Sequence, residues 1–175
     1  MRAFRSATDW DLDRGFNYGG DAVRYRVVVI GPDLPLIHGT PFSSYIRYQI
    51  MAEVGRHWGV NLFDLLGYGQ SAMREGQDVS LGVQNKVLAA FLTHRGLERP
   101  VMVAHDNGGA TSLRAHLINA CEFERILLID PVAIRPWRSP SVKHVRRNEA
   151  AFQGIPPIPT RPLWRVICGV QSHAT

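Results

Sequence analysis

Residues Val101-Met-Val-Ala-His-Asp-Asn-Gly-Gly-Ala110 decide how the rest of the chain is interpreted. A short, partly β-branched run stops at Asp106, after which the sequence becomes glycine-rich. This order predicts a strand, a sharp turn and a helix, with the acidic residue held at the turn in a strained backbone conformation. The positions two before and two after the turn residue must be small, and Ala104 and Gly108 occupy them. The stretch therefore predicts a nucleophile elbow that carries Asp106.

The chemistry expected of such an elbow follows from its carboxylate. A carboxylate can attack an electrophilic carbon and form an ester, which divides one difficult displacement into two easier steps. The residues of this stretch also fit a simpler interpretation, in which Asp106 is a loop residue or the N-cap of a helix. This stretch alone leaves both interpretations open.

A second motif, Leu34-Pro-Leu-Ile-His-Gly-Thr-Pro41, places His38-Gly39 at the end of an apolar strand. A sharp turn there can present the backbone N–H of Thr40 to a developing oxyanion, and the N–H of Asn107 would be its partner donor. The alternative is a plain turn from a strand to a helix. Because the motif precedes the elbow in the chain at a suitable spacing, it favours the elbow.

A third motif, Phe63-Asp-Leu-Leu-Gly-Tyr-Gly-Gln-Ser71, ends another strand in a glycine-rich turn. Glycine-rich turns after strands can cradle phosphates, but this one lacks the lysine and the glycine spacing of a Walker sequence. A phosphate-binding loop is therefore not predicted.

Taken together, the three motifs resemble those of the α/β-hydrolases related to haloalkane dehalogenases and epoxide hydrolases. The resemblance covers roughly residues 15–154. It implies an aspartate nucleophile, a histidine late in the chain that activates water against the ester, and a second acid that orients this histidine. It also implies a partial α/β-hydrolase fold, with a mostly parallel sheet and helices on both faces.

The resemblance assigns roles to individual residues. Asp106 would be the nucleophile, and Asp130, which follows the apolar run 126–129, would be the second acid, although Asp130 is equally well explained as a residue that caps a strand. Family members often carry an aromatic residue after the nucleophile, where this chain has Asn107, and this favours an epoxide over an alkyl halide. The remaining oxyanion or substrate-binding candidates are His38, Gly39, Thr40 and Asn107.

The apolar patterns predict strands that alternate with helices, which is typical of a parallel sheet. Ligands of such sheets collect at the carboxyl ends of the strands, where His38, Asp64, Asp106 and Asp130 all fall. The predicted elements are a hairpin turning at Gly19-Gly20, a helix over 43–58, a strand over 59–64, a helix from its Ser80 cap to Gly96, a strand after Pro100, a helix over 108–119 and a buried strand over 126–129.

The likeness ends near residue 154. We expect residues 1–154 to form the N-terminal part of a hydrolase core and residues 155–175 to be a divergent, proline-rich tail, because prolines exclude a helix there. The sequence is thus expected to be truncated, lacking the cap, the last strands and the catalytic histidine, and to be inactive for that reason if no other base serves. The alternatives are a ligand-binding pseudo-hydrolase without turnover and a non-functional fragment.

Composition limits the other function classes. The 175 residues, 45% of them hydrophobic, suffice for one globular domain with a real core. The net charge of +5 is not accompanied by aromatic and basic residues interleaved as in nucleic-acid modules. The two cysteines, Cys121 and Cys168, have neither disulfide-framework nor metal spacing. We therefore expect a cytoplasmic protein with a small-molecule substrate, no cofactor, no metal, and no nucleic-acid or membrane partner.

Overall fold

The structure is a computed structural model that describes residues 10–28, 31–133 and 140–148. The chain divides into two units after Ala133. The second unit contributes one described helix, α4, over Pro140–Arg147. The domain boundary predicted at residue 154 and the tail 155–175 lie outside the described residues.

The first unit contains a six-stranded sheet, whose strands are β1 Arg14–Tyr18, β2 Asp21–Val28, β3 Asp33–Ile37, β4 Gly59–Phe63, β5 Val101–His105 and β6 Arg125–Ile129. Their order in the sheet is β1-β2-β4-β3-β5-β6. Strands β3, β4, β5 and β6 run parallel, whereas β2 pairs antiparallel with both β1 and β4. The mostly parallel α/β architecture predicted from the sequence is confirmed. The helical elements of this unit are a 3-10 turn Ser44–Arg47, α1 Tyr48–Val54, α2 Leu81–Arg95 and α3 Asn107–Asn119.

The opening hairpin turns where the two glycines predicted it. Gly19 and Gly20 have φ values of 59° and 95°, a backbone region that glycine enters without a Cβ penalty. The side chain of Asn17 stabilises the turn by accepting a hydrogen bond of 2.9 Å from the Gly20 N–H.

Apolar side chains cover both faces of the sheet, as a parallel sheet requires. On one face, α2 and α3 pack over the sheet, and the Phe91 ring stacks on the Phe63 ring with 4.5 Å between their centroids. On the other face, Met51 of α1 and Trp10 pack with apolar residues of β3 and β4. The helices therefore lie on both faces, and the parallel strands end along one shared edge.

Strand β6 differs from its prediction. The apolar run was expected to form a strand buried on both faces, but β6 is the last strand of the described sheet and its residues alternate in exposure. Leu127 is 57% exposed although its neighbour across the ladder, Val103, packs against the core. An apolar run occurs in both central and edge strands, so the sequence pattern could not distinguish the two positions in the sheet.

Two helix predictions also need correction. The predicted helix over 43–58 begins as the 3-10 turn and ends at Val54, because the chain reverses at Gly55 to enter β4. Ser80 occupies the N-cap position of α2, but its side chain makes no capping hydrogen bond, whereas its N–H donates to the Asp78 carboxylate over 2.8 Å. Among the described helices, none has the length and apolar character needed to cross a bilayer.

Candidate active site

Asp106 lies at a sharp turn between β5 and α3, with φ 51° and ψ −120°. A non-glycine residue pays a strain cost in this region and keeps the conformation only when its surroundings fix it. Here the Asp106 N–H donates to the Ile129 carbonyl over 3.1 Å, and the Asp106 carbonyl accepts from the Val132 N–H over 3.1 Å. The adjoining end of β6 therefore fixes the strained turn from one side.

Glycine residues let the β3 turn approach this elbow closely. A Cβ on Gly39 would lie 2.5 Å from Cβ of Asp106, and a Cβ on Gly108 would lie 2.5 Å from the His38 carbonyl oxygen. Real Cβ atoms do not make such contacts. The two motifs that the sequence placed about 66 residues apart thus meet directly at the edge of the sheet.

Three donors converge on one oxygen of the Asp106 carboxylate. Oδ1 accepts from the Thr40 N–H at 3.0 Å, the Thr40 hydroxyl at 3.2 Å and the Asn107 N–H at 2.5 Å. Among the described residues, no group donates a hydrogen bond to Oδ2. The carboxylate is therefore held by one oxygen while the other remains available, and the two backbone N–H groups predicted as oxyanion donors lie side by side.

The His38 ring forms hydrogen bonds with the backbone of two turns and none with the Asp106 carboxylate. It is fully buried; Nδ1 faces the Gly39 carbonyl at 2.9 Å and Nε2 faces the Leu65 N–H at 3.0 Å. This network assigns a neutral ring in which Nδ1 donates and Nε2 accepts. Burial lowers the pKa of His38, which opposes its protonation, while the Gly39 carbonyl and the Asp64 carboxylate act in the other direction. His38 thus connects the β3 turn to the loop after β4.

Asp64 fixes that loop from within the protein. Its buried carboxylate accepts from the Ser44 N–H at 2.6 Å through Oδ1 and from the Gln70 N–H at 2.8 Å through Oδ2. Gly69 has a φ of 56°, and a Cβ at this position would overlap Oδ2 of Asp64. The third sequence motif is therefore a tight turn built around a carboxylate, not a phosphate cradle.

Tyr68, between the two glycines of this turn, is a residue that the sequence analysis did not assign to the site. Its ring packs edge-on against the His38 ring, with 5.7 Å between their centroids. Burial raises the pKa of the Tyr68 phenol, and the negative charge of Asp106 raises it further. No described residue forms a hydrogen bond with the Tyr68 hydroxyl. The signal available in the sequence was its position between Gly67 and Gly69, at the end of a parallel strand.

Asp130 and His105 lie near each other without a direct bond. Asp130 is exposed, has a φ of 44°, and pairs with no cation in the described part of the chain. Burial and the charge of Arg47 lower the pKa of His105, whereas Asp106 and Asp130 raise it. Nδ1 of His105 is buried and has no partner. The assignment of Asp130 as the second acid stays a prediction.

The described residues provide neither a metal-binding group nor a histidine bound to Asp106. Within residues 10–28, 31–133 and 140–148, no three side chains of the ligating types come together as a metal site would require. Within residues 10–28 and 31–133, no histidine ring nitrogen forms a hydrogen bond or ion pair with Asp106. The arrangement can therefore supply a nucleophile and oxyanion donors, and these residues add no base in contact with them.

Known proteins share this fold. The family model described as alpha/beta hydrolase fold matches residues 34–164. A crystal structure of an alpha/beta hydrolase fold protein from Burkholderia ambifaria superposes with a TM-score of 0.78 and 46% sequence identity, covering 84% of this chain and 54% of that one.

Two of the curated relatives that carry the name haloalkane dehalogenase show the extent of this similarity. Haloalkane dehalogenase 2 of Mycobacterium bovis is 25% identical over 156 residues, which is 82% of this chain and 54% of the relative. Haloalkane dehalogenase of Agrobacterium fabrum is 26% identical over 141 residues, which is 75% of this chain and 46% of the relative. The chain spans about half the length of these relatives.

Proposed function

We propose, from the premise that this chain belongs to the alpha/beta hydrolase fold family, that it acts as a hydrolase in which Asp106 attacks the carbon of an epoxide or an alkyl halide and forms an ester. One observation carries the proposal: Oδ1 of Asp106 accepts three hydrogen bonds while no described residue bonds to Oδ2. A carboxylate fixed in this way presents a single oxygen to a substrate, so little orientational freedom is lost in the reaction.

The bond changes differ between the two substrate classes. With an alkyl halide, Oδ2 forms a bond to carbon, and the halide leaves with the electron pair of the broken carbon–halogen bond. With an epoxide, Oδ2 forms the same bond, and the electron pair of the broken carbon–oxygen bond stays on the ring oxygen, which then needs a proton. Both routes leave the substrate esterified to Asp106.

The residue after the nucleophile supports the epoxide over the halide. Asn107 contributes its N–H to Oδ1 and carries no aromatic side chain that could contact a departing halide. The names of the two curated relatives favour a halide instead. We propose the epoxide as the preferred substrate and the alkyl halide as a slower one.

Release of the ester is proposed to be slow. Ester hydrolysis needs a base that activates water, and within residues 10–28 and 31–133 no histidine ring nitrogen forms a hydrogen bond with the Asp106 carboxylate. The chain should therefore react once per molecule, in a burst, and then turn over slowly. In this proposal, turnover depends on the water that reaches the ester.

The test measures bromide release from a 1-bromoalkane and consumption of a terminal 1,2-epoxyalkane. The wild-type chain is compared with Asp106→Asn and with Asp13→Asn, a matched change at an exposed aspartate. We expect a bromide burst near one equivalent per chain, faster consumption of the epoxide, and neither reaction in Asp106→Asn. Unchanged activity in Asp106→Asn would exclude the proposal, and substrate binding without any reaction would favour the ligand-binding alternative.

A further inference from the structure

We propose that Arg47 and His105 form a binding site for a small carboxylate anion, on the side of the sheet that α1 covers. The site is separate from the substrate position at Asp106, and it does not depend on the proposed function. Its basis is a buried guanidinium for which the described part of the chain supplies no counterion.

Arg47 is a buried cation without a partner. The residue is 9% exposed, and its Nη2 atom is fully enclosed without a hydrogen bond. Burial lowers the pKa of Arg47, but a guanidinium keeps its charge in proteins. Within residues 10–28, 31–133 and 140–148, no carboxylate forms an ion pair with it. Because an unpaired charge is costly to remove from water, this arrangement calls for an anion.

His105 supplies a second unpartnered group on the same face of the sheet. Along β5, Val101 and Val103 pack with Met51 of α1, and the alternation of side chains in a strand directs His105 to that face. Its Nδ1 atom is buried and has no partner. Arg47 ends the 3-10 turn that leads directly into α1. Both unpartnered groups therefore lie where α1 and the carboxyl end of β5 meet.

The electrostatics of this region place Arg47 close to His105. Burial is the largest cause that lowers the pKa of His105, and the charge of Arg47 is the next. Arg47 also lowers the pKa of His38, so its charge acts on the ends of both β3 and β5. Asp106 and Asp130 raise the pKa of His105, but in the described ranges neither carboxylate bonds to Arg47. The guanidinium is thus left without an acceptor.

The donor set favours a carboxylate as the ligand. A guanidinium presents parallel N–H groups that match the two oxygens of a carboxylate. Neither ring nitrogen of His105 forms a hydrogen bond with a described residue, so Nδ1 can carry a proton and donate it. Since Nη2 is the enclosed nitrogen of Arg47, a ligand would approach from the side of Nε and Nη1. The small exposed area of Arg47 restricts that ligand to the size of formate or acetate.

The experiment measures urea unfolding of the full chain while sodium acetate replaces sodium chloride at constant ionic strength. A ligand that binds only the folded state lowers the unfolding equilibrium constant. We expect this constant to fall about tenfold in wild type when acetate reaches ten times its Kd, beyond any general effect of acetate on the variants. Arg47→Met keeps an unbranched apolar stem and should lack the specific response.

Arg56→Met is the matched control, because the Arg56 side chain is 68% exposed and pairs with Glu53 at the surface. It should respond to acetate as wild type does. In chloride alone, Arg47→Met should be at least as stable as wild type, because the variant no longer buries an unpaired charge. His105→Phe removes the second donor and should raise the acetate concentration needed for half of the response about fivefold.

Three results would overturn the proposal. The first is an equal acetate response in wild type and Arg47→Met. The second is a lower stability of Arg47→Met in chloride, which would show that the protein already supplies a counterion. The third is a wild-type stability that rises with protein concentration and not with acetate, which would assign the carboxylate to a second copy of the chain. If Arg47→Met does not fold, an unchanged response in His105→Phe overturns it. Loss or persistence of reaction in Asp106→Asn tests the proposed function alone.

Discussion

The backbone N–H of Thr40 donates to Oδ1 of Asp106 over 3.0 Å, although 66 residues separate the two positions in the chain. This hydrogen bond joins the turn after β3 to the turn after β5. It requires both turns to be sharp, which explains why glycine follows His38 and why the elbow residue takes a strained backbone. The orientation of the Asp106 carboxylate therefore depends on the geometry of the two turns. A change in either turn should alter that orientation.

Gly39→Ala tests that relationship. The new Cβ would lie 2.5 Å from Cβ of Asp106, so the elbow or the turn must move. A displacement of about 1 Å can cost 100-fold in rate, and we expect a loss of about that size in ester formation, measured by intact mass against time. Gly82→Ala is the control, because its Cβ would meet nothing closer than 3.6 Å. It should keep the wild-type rate.

Asp64→Asn should destabilise the protein. In wild type, the N–H groups of Ser44 and Gln70 each donate to one oxygen of the Asp64 carboxylate. In the variant, one of these oxygens is replaced by an amide NH2 group, which cannot accept a hydrogen bond, so one N–H loses its partner. A buried donor without a partner costs about 1–3 kcal/mol, and the free energy of unfolding in urea should fall by that amount. Asp13→Asn, at an exposed position, should leave the urea midpoint where it is. Equal stability of the two variants would exclude Asp64 as an anchor.

Stability should depend on pH through His38. Burial lowers its pKa in the folded protein below the ordinary value of 6.5, so the unfolded chain binds the proton more readily. The contribution of the neutral ring to stability is complete above pH 6.5 and declines as the pH falls through 6.5 toward the folded pKa. The urea midpoint of wild type should therefore drop on acidification.

His38→Asn provides the comparison for this pH effect. We expect it to be less stable than wild type at neutral pH and to lose less stability on acidification. His105, whose pKa burial also lowers, titrates in both proteins and cancels in the difference. Parallel pH profiles for the two proteins would show that His38 is not the titrating group.

The outermost described strand, β6, should promote self-association of the protein. Leu127 on β6 is 57% exposed, and an apolar edge strand can pair with a second chain. Leu127→Lys should reduce light scattering of the concentrated protein without lowering the urea midpoint. Leu128→Lys, on the face that packs against the core, should instead lower the midpoint. If Leu127→Lys scatters as wild type does, the β6 edge is not where chains associate.

The parts of the fold that could be predicted are those where local chemistry allows few alternatives. Small residues flanking Asp106 permit one kind of turn, and the pair Gly19-Gly20 permits a tight hairpin. Both turns could therefore be predicted from the sequence alone. The predicted donors, Thr40 and Asn107, could be identified because their N–H groups belong to turns fixed by glycine. Their convergence on a single carboxylate oxygen depends on how two turns that are distant in the sequence pack together.

The features that could not be predicted depend on distant contacts. Whether β6 is central or at an edge is decided by neighbouring strands, not by its own residues. Tyr68 becomes part of the candidate site only because Asp64, four residues earlier, fixes the turn and His38 supports its ring. The sequence around a tyrosine between two glycines does not indicate where its side chain points, so sequence patterns could not assign Tyr68 to the site.

The central claim is that Asp106 is alkylated, and the most direct measurement maps the attached group. The wild-type chain would be incubated with a 1,2-epoxyalkane, quenched in acid, digested and analysed by tandem mass spectrometry. We expect the added mass of one epoxide on Asp106 and no added mass on the Asp106→Asn variant. Modification at another residue, or an unmodified Asp106 while epoxide is consumed, would contradict it.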